Sequence, residues 1–138
     1  MKKKYIKQAM VYAILAMIAG IFYESYIKAM DFDGVTMLSK AHGHLFLLGM
    51  FMCLFVALLA ERIPLEKQKS FVWFTRLYHP GVCLTAVMMV VRGVLQVNGT
   101  ALSSGTNAMI SGFAGIGHIL IGIGLIFFLT AAYKASEK

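Results

Sequence analysis

Charge is scarce in this chain. Of its 138 residues only 13 are Lys or Arg and six are Asp or Glu, whereas 59% are apolar. A soluble domain carries roughly a quarter charged residues, so this composition excludes one. Cysteine is nearly absent as well, and Cys53 and Cys83 both fall deep inside apolar stretches. They are expected as buried thiols acting as small apolar side chains, without a disulfide. There is no internal repeat and no low-complexity tract. The start Met1-Lys2-Lys3-Lys4 looks like the charged beginning of a signal peptide, but the apolar run behind it is too long and lacks a small-residue cleavage site. It reads as a retained first span. The net charge of +7 forms no broad basic face, because the cations sit in short tails and one loop, and this argues against nucleic acid.

What the chain has in abundance is long apolar runs. Four of them, 8–28, 36–60, 71–97 and 109–133, each exceed the ~20 helical residues needed to cross a hydrocarbon core of ~30 Å. The expected fold is all-α, an integral membrane four-helix bundle, with residues 1–138 forming a single four-span transmembrane domain in contact with the lipid bilayer. If the helices alternate in direction, Lys2, Lys3, Lys4, Lys7, Arg62, Lys67, Lys69, Lys134 and Lys138 gather on one side. By the excess of cations in cytoplasmic loops, both termini are then cytoplasmic. Thr36 is placed to cap the second run and Pro64 to stop it, so the second and third helices should be antiparallel neighbours. The polar, small-residue segment 98–108 reads as a surface loop.

Into this apolar background the sequence sets Ala41-His42-Gly43-His44. Ionisable side chains inside spanning helices are rare and point to function. Counting from the cytoplasmic charges at ~1.5 Å per residue places Glu24 about 26 Å, His44 about 27 Å and His118 about 24 Å deep. Arg92 joins them at about 24 Å if counted from Arg76. A polar layer near the outer leaflet follows, made of Glu24, His42, His44, Arg92 and His118, with Tyr23, Tyr26, Lys40 and Gln96 close by. The plain alternative is a buried Glu24–Arg92 ion pair with histidines bonded to carbonyls. Three histidines at one level favour a ligand role, because imidazole binds transition metals and haem iron. His79, just before Pro80, lies elsewhere and is expected to be hydrogen-bonded or structural.

Spacing restricts the chemistry. A helix turns ~100° per residue, so His42 and His44 point to nearly opposite sides and cannot chelate one ion from a regular helix. They suit two separate cofactors, or one ligand and one supporting partner. In the fourth run, Gly112, Gly115, Gly117, Gly122 and Gly124 surround His118. Glycine allows close helix packing, and beside a histidine it also leaves room for a flat macrocycle.

The segment Ala41-His42-Gly43-His44-Leu45-Phe46-Leu47-Leu48-Gly49 resembles the Ala-His-x-His helix of haem-copper oxidase catalytic subunits, nitric oxide reductases included. In that superfamily the two histidines ligate two haems from opposite faces, which implies His42 and His44 as haem ligands here. The copper site of those enzymes has no counterpart. The whole chain is similar to a family of small four-helix bacterial membrane proteins of unknown function with His-x-His in the second span and Gly-Ile-Gly-His in the fourth.

The expectation is therefore a b-type haem protein of the bacterial cytoplasmic membrane, serving electron transfer or the sensing of gas or redox state. Its ligands would be His42 or His44 with His118, and Arg92 and Lys40 would hold the propionates. An alternative is a zinc or copper site built from His42, His44, His118 and Glu24, for transport or hydrolysis. A further alternative is a cofactor-free accessory subunit. No catalytic residue stands out. A homo-oligomer, trimer or dimer, is expected from histidines that point to both sides of one helix, and a quinol or redox protein is the partner that the haem reading calls for.

Overall fold

The computed structural model describes residues 2–137. Among these the chain is helical, without strands, and forms four long helices: α1 (Lys2–Ala29), α2 (Leu38–Leu59), α3 (Lys69–Val97) and α4 (Ser104–Ser136). Each is long and apolar enough to cross a membrane. The exterior is correspondingly apolar, with Met10, Ile14, Ile18 and Ile21 exposed along α1 and Ile119, Ile126 and Leu129 along α4. An outer surface of this kind is stable in contact with hydrocarbon and unstable in water.

The helices end where local chemistry stops them. Asp31 and Gly99 both take positive φ (49° and 63°) just past α1 and α3. Backbone bonds close each end, Phe32 N–H to Ile27 O at 2.9 Å and Thr100 N–H to Leu95 O at 3.1 Å. This is the left-handed termination that satisfies orphan carbonyls. Thr36 Oγ1 accepts from Leu38 N–H at 3.2 Å as α2 begins, and Ser103 Oγ accepts from Thr106 N–H at 3.2 Å as α4 begins. Pro80, by contrast, lies inside α3 without ending it, as apolar spanning helices tolerate.

Both described ends lie beside the α2–α3 connection. Lys2 pairs with Glu61, Tyr5 Oη donates to Glu66 at 3.4 Å, and α4 packs on Leu65–Lys67. This is the terminal end of the bundle; the opposite end is the far end. α3 and α4 form the tightest pair because glycine removes side chains from their contact. A Cβ on Gly81 would stand 2.9 Å from Gly117 O and from Ile121 N, which are backbone atoms that cannot swing aside. α1 lies on α2, where the Tyr12 ring covers Gly49, and α2 meets α3 where Leu38 sits on Gly93.

Within α2, Leu45–Phe51 winds as a π-helix, directly after His44. A wider turn disturbs the regular pairing of carbonyls, and a hydroxyl from α3 meets one of them: Tyr78 Oη donates to Leu48 O at 2.9 Å. Such segments are uncommon and gather at functional sites. Regular-helix spacing gave no sign of it.

Two outcomes follow. Gly81→Ala should lower thermal stability in detergent, followed by circular dichroism, by about 1–3 kcal/mol through overpacking, whereas Gly105→Ala, which faces open space, should be neutral or slightly stabilising. Tyr78→Phe should cost about 1–2 kcal/mol by leaving the Leu48 carbonyl without its partner, and it should speed amide exchange within 48–53 more than elsewhere.

Candidate functional site

The far end of the bundle is tied by polar bonds that reach across helices. Tyr26 Oη donates to Asn98 Oδ1 at 2.5 Å, Met37 N–H to Gln96 Oε1 at 2.7 Å and Thr36 Oγ1 to Gly93 O at 3.0 Å. Arg92 bridges α3 to the start of α4, donating to Asn107 Oδ1 at 2.9 Å and to Ser111 Oγ at 2.8 Å. Glu24 is exposed and pairs with Lys28 at 3.8 Å, one turn along its own helix. The Glu24–Arg92 ion pair considered from sequence is thus not formed. Lys40 is exposed, and its backbone carbonyl holds His44.

Inside this rim lie the histidines. His42 and His44 occupy opposite flanks of α2, whose buried face is Leu38, Ala41 and Leu45. His42 leans on α1 and packs against Gly20, and its buried Nδ1 has no hydrogen-bond partner. His44, two residues on and ~200° around the helix, is on the flank turned away from α1. Its Nδ1 lies 3.1 Å from Lys40 O.

His118 repeats that arrangement on α4, with Nδ1 2.8 Å from Ala114 O. In both residues the carbonyl one turn back accepts from Nδ1–H, which leaves Nε2 as the nitrogen with a free lone pair. Metal-bound histidines characteristically donate their other ring N–H in this way, fixing tautomer and ring orientation. The residues around His118 keep its surroundings flat: Gly115 and Gly122 lie one turn to either side, and both face open space.

The flank that carries His118 can be followed along α4. Leu125 and Ala132, seven and fourteen residues on, share it and pack against the core. The outer flank is marked by Phe127, which stacks on Trp73 at 6.4 Å, and near the terminal end Phe128 meets Phe55 of α2 at 6.0 Å. His118 is exposed, as is Ser111 seven residues back on the same stripe, whereas Leu125 and Ala132 are half-buried. Leu38 sits beside Gly93, and Gly117 beside Gly81 and Thr85. Counted from those contacts at ~1.5 Å per residue, His44 and His118 differ in level by roughly 6 Å. Ser111, which anchors Arg92, is about 10 Å from His118 toward the far end.

The structure sends His42 to the α1 side, ties Arg92 to Asn107 and Ser111 at the start of α4, and leaves His118, Glu24 and Lys40 exposed. Among the described residues, no three His, Cys, Asp or Glu side chains gather closely enough to hold one metal ion. The four-ligand set His42, His44, His118 and Glu24 is not assembled within one chain.

His79 is hydrogen-bonded, as expected, and its partners form a second polar cluster. Nearer the terminal end, His79 Nδ1 lies 2.9 Å from Tyr12 Oη, and Tyr12 Oη lies 3.9 Å from Cys83 Sγ. Its only sequence sign was a histidine off the main polar level, since Tyr12 and Cys83 each look like ordinary packing residues. Cys53 is buried as expected, whereas Cys83 is exposed and neither is in a disulfide.

No curated protein and no solved structure matches the chain. A family model does match it, over residues 1–135, and its description is a protein of unknown function, DUF2871. The chain belongs to that family of uncharacterised proteins.

Proposed function

We propose that this is a b-type haem protein of the cytoplasmic membrane, with iron held by His44 of α2 and His118 of α4. The observation that carries the reading is the matched state of the two imidazoles. Each has Nδ1 engaged by the carbonyl four residues back, so each keeps Nε2 free to bind. Glycine on both sides of His118 suits a flat ring system, and Arg92, two turns farther out, suits the carboxylates at its edge. The resemblance of Ala41-His42-Gly43-His44 to a haem-ligand helix points the same way.

Held by two histidines, His44 and His118, a bound haem would serve electron transfer in preference to gas binding. Lys40 is within reach of the same rim. His42, on the far flank of α2, is left for a second role toward α1. The cations at the terminal end, Lys2, Lys3, Lys4, Lys7, Arg62, Lys67, Lys69 and Lys134, support an orientation with that end in the cytoplasm and the haem toward the outer leaflet. Gly112 faces open space on α4 and offers a point of close packing for a homo-oligomer, trimer or dimer.

Protein purified from haem-replete cells should show a Soret band and sharp reduced α and β bands. His44→Ala and His118→Ala should each lower haem occupancy at least tenfold, whereas His42→Ala should retain most of it. A folded, fully purified preparation without haem absorbance would refute the proposal, as would retention of normal spectra in both the His44 and the His118 variants.

A further inference from the structure

A groove runs between α1 and α3, reached also by Leu45 of α2. It has two compartments that share Leu15 and Cys83. The one nearer the terminal end, about 320 Å³, is bordered by Lys7, Gln8, Tyr12 and His79. The other, about 400 Å³, is apolar, with Ile18, Phe22, Val87 and Val91 among its walls. A polar head compartment opening into an apolar channel is the shape of a site for an amphiphile.

The polar groups have capacity to spare. Tyr12 and His79 are stacked at 5.8 Å and joined at 2.9 Å. If the tyrosine donates, His79 Nε2–H is left to donate onward; if the imidazole donates, Nε2 accepts and the tyrosine hydroxyl donates. Either way the pair offers a ligand one hydrogen bond of each kind it needs, and it can adapt to a carbonyl or a hydroxyl. Gln8 Oε1, beside them, is shielded from solvent and has no partner.

Depth and charge select the class of ligand. Gln8 and Tyr12 lie about 6 Å and 12 Å along α1 from Lys4, inward of the lysine-rich level where a lipid phosphate would find its cations. Lys7 is the one cation bordering the head compartment. A phosphate calls for several charge-assisted donors, whereas a neutral ring with two oxygens calls only for the groups present. The apolar compartment continues toward the far end, about 10 Å from Leu15 to Phe22, in the direction a hydrocarbon tail would take.

We propose that this groove binds an isoprenoid quinone, in either oxidation state, with its ring oxygens at Gln8, Tyr12 and His79 and its tail along the apolar channel. The proposal concerns binding alone and stands without the haem reading.

Cys83 supplies the test, because it is exposed at the junction of the two compartments while Cys53 is buried. The full chain in nanodiscs of neutral lipid is titrated with a short-tailed ubiquinone or menaquinone, and the rate of maleimide labelling at Cys83 is followed. Labelling should slow saturably, at least fivefold. Tyr12→Phe, which keeps the ring over Gly49, should raise the half-protecting concentration at least fivefold, and Leu15→Trp should abolish protection. Gln8→Leu makes the same test as Tyr12→Phe if that variant does not fold by thermal melting. Absence of protection, protection indifferent to these substitutions, or equal protection by added phosphatidylglycerol, which would assign the groove to a lipid, would overturn the proposal.

Discussion

The approach of α3 to α4 at Gly81 and Gly117 governs where the chemistry of this bundle can point. Backbone atoms meet there without intervening side chains, so the rotation of α4 about its own axis is set by contact and not by a preference that could be traded away. Gly117 faces α3, and the next residue must turn ~100° from it. His118 is thereby turned off the packed face and is exposed. The Gly124 contact with Tyr78, two turns on, holds the same register. Tyr78 in turn reaches α2 through Leu48 O, so one side chain couples the tight α3–α4 pair to the π-helical segment that follows His44.

The cost of polarity within apolar helices accounts for much of the remaining arrangement. Hydroxyls and amides in such a setting are paired where they can be, and the far end shows this in the bonds of Thr36, Gln96, Arg92 and Tyr26. His44 and His118 each satisfy one nitrogen within their own helix and leave the other free. The haem reading takes its force from that imbalance. The Gln8, Tyr12 and His79 cluster shows a similar surplus at the other end of the molecule.

Much of the fold was legible in the sequence because it depends on length and hydropathy. Four apolar runs became four helices, and Thr36 and the start of the polar 98–108 segment marked boundaries at which the chain does turn, although residues 104–108, expected as loop, form the first turn of α4. Position along a helix needs only a count. Azimuth was harder. His42 and His44 were separable by the 100° rule within one helix, but the partner that each flank faces depends on Gly20, Gly93 and Gly117, which read alike as packing glycines. The π-segment was invisible because no residue from Leu45 to Phe51 demands it; it arises among the Tyr12 ring over Gly49, the Tyr78 hydroxyl and the helix backbone. Glu24 and Arg92 were matched by level and charge, yet nearer partners won: Lys28 one turn away, and Asn107 and Ser111 across a short loop.

The claim on which the account rests is that His44 and His118 are held with Nδ1 protonated and Nε2 free to bind. Solid-state NMR of the membrane-embedded protein with ¹⁵N-labelled histidine, assigned with single-histidine substitutions, reads this state at each ring. The account predicts a protonated Nδ1 and an unprotonated Nε2 at both His44 and His118. A proton on Nε2 of either residue would contradict it.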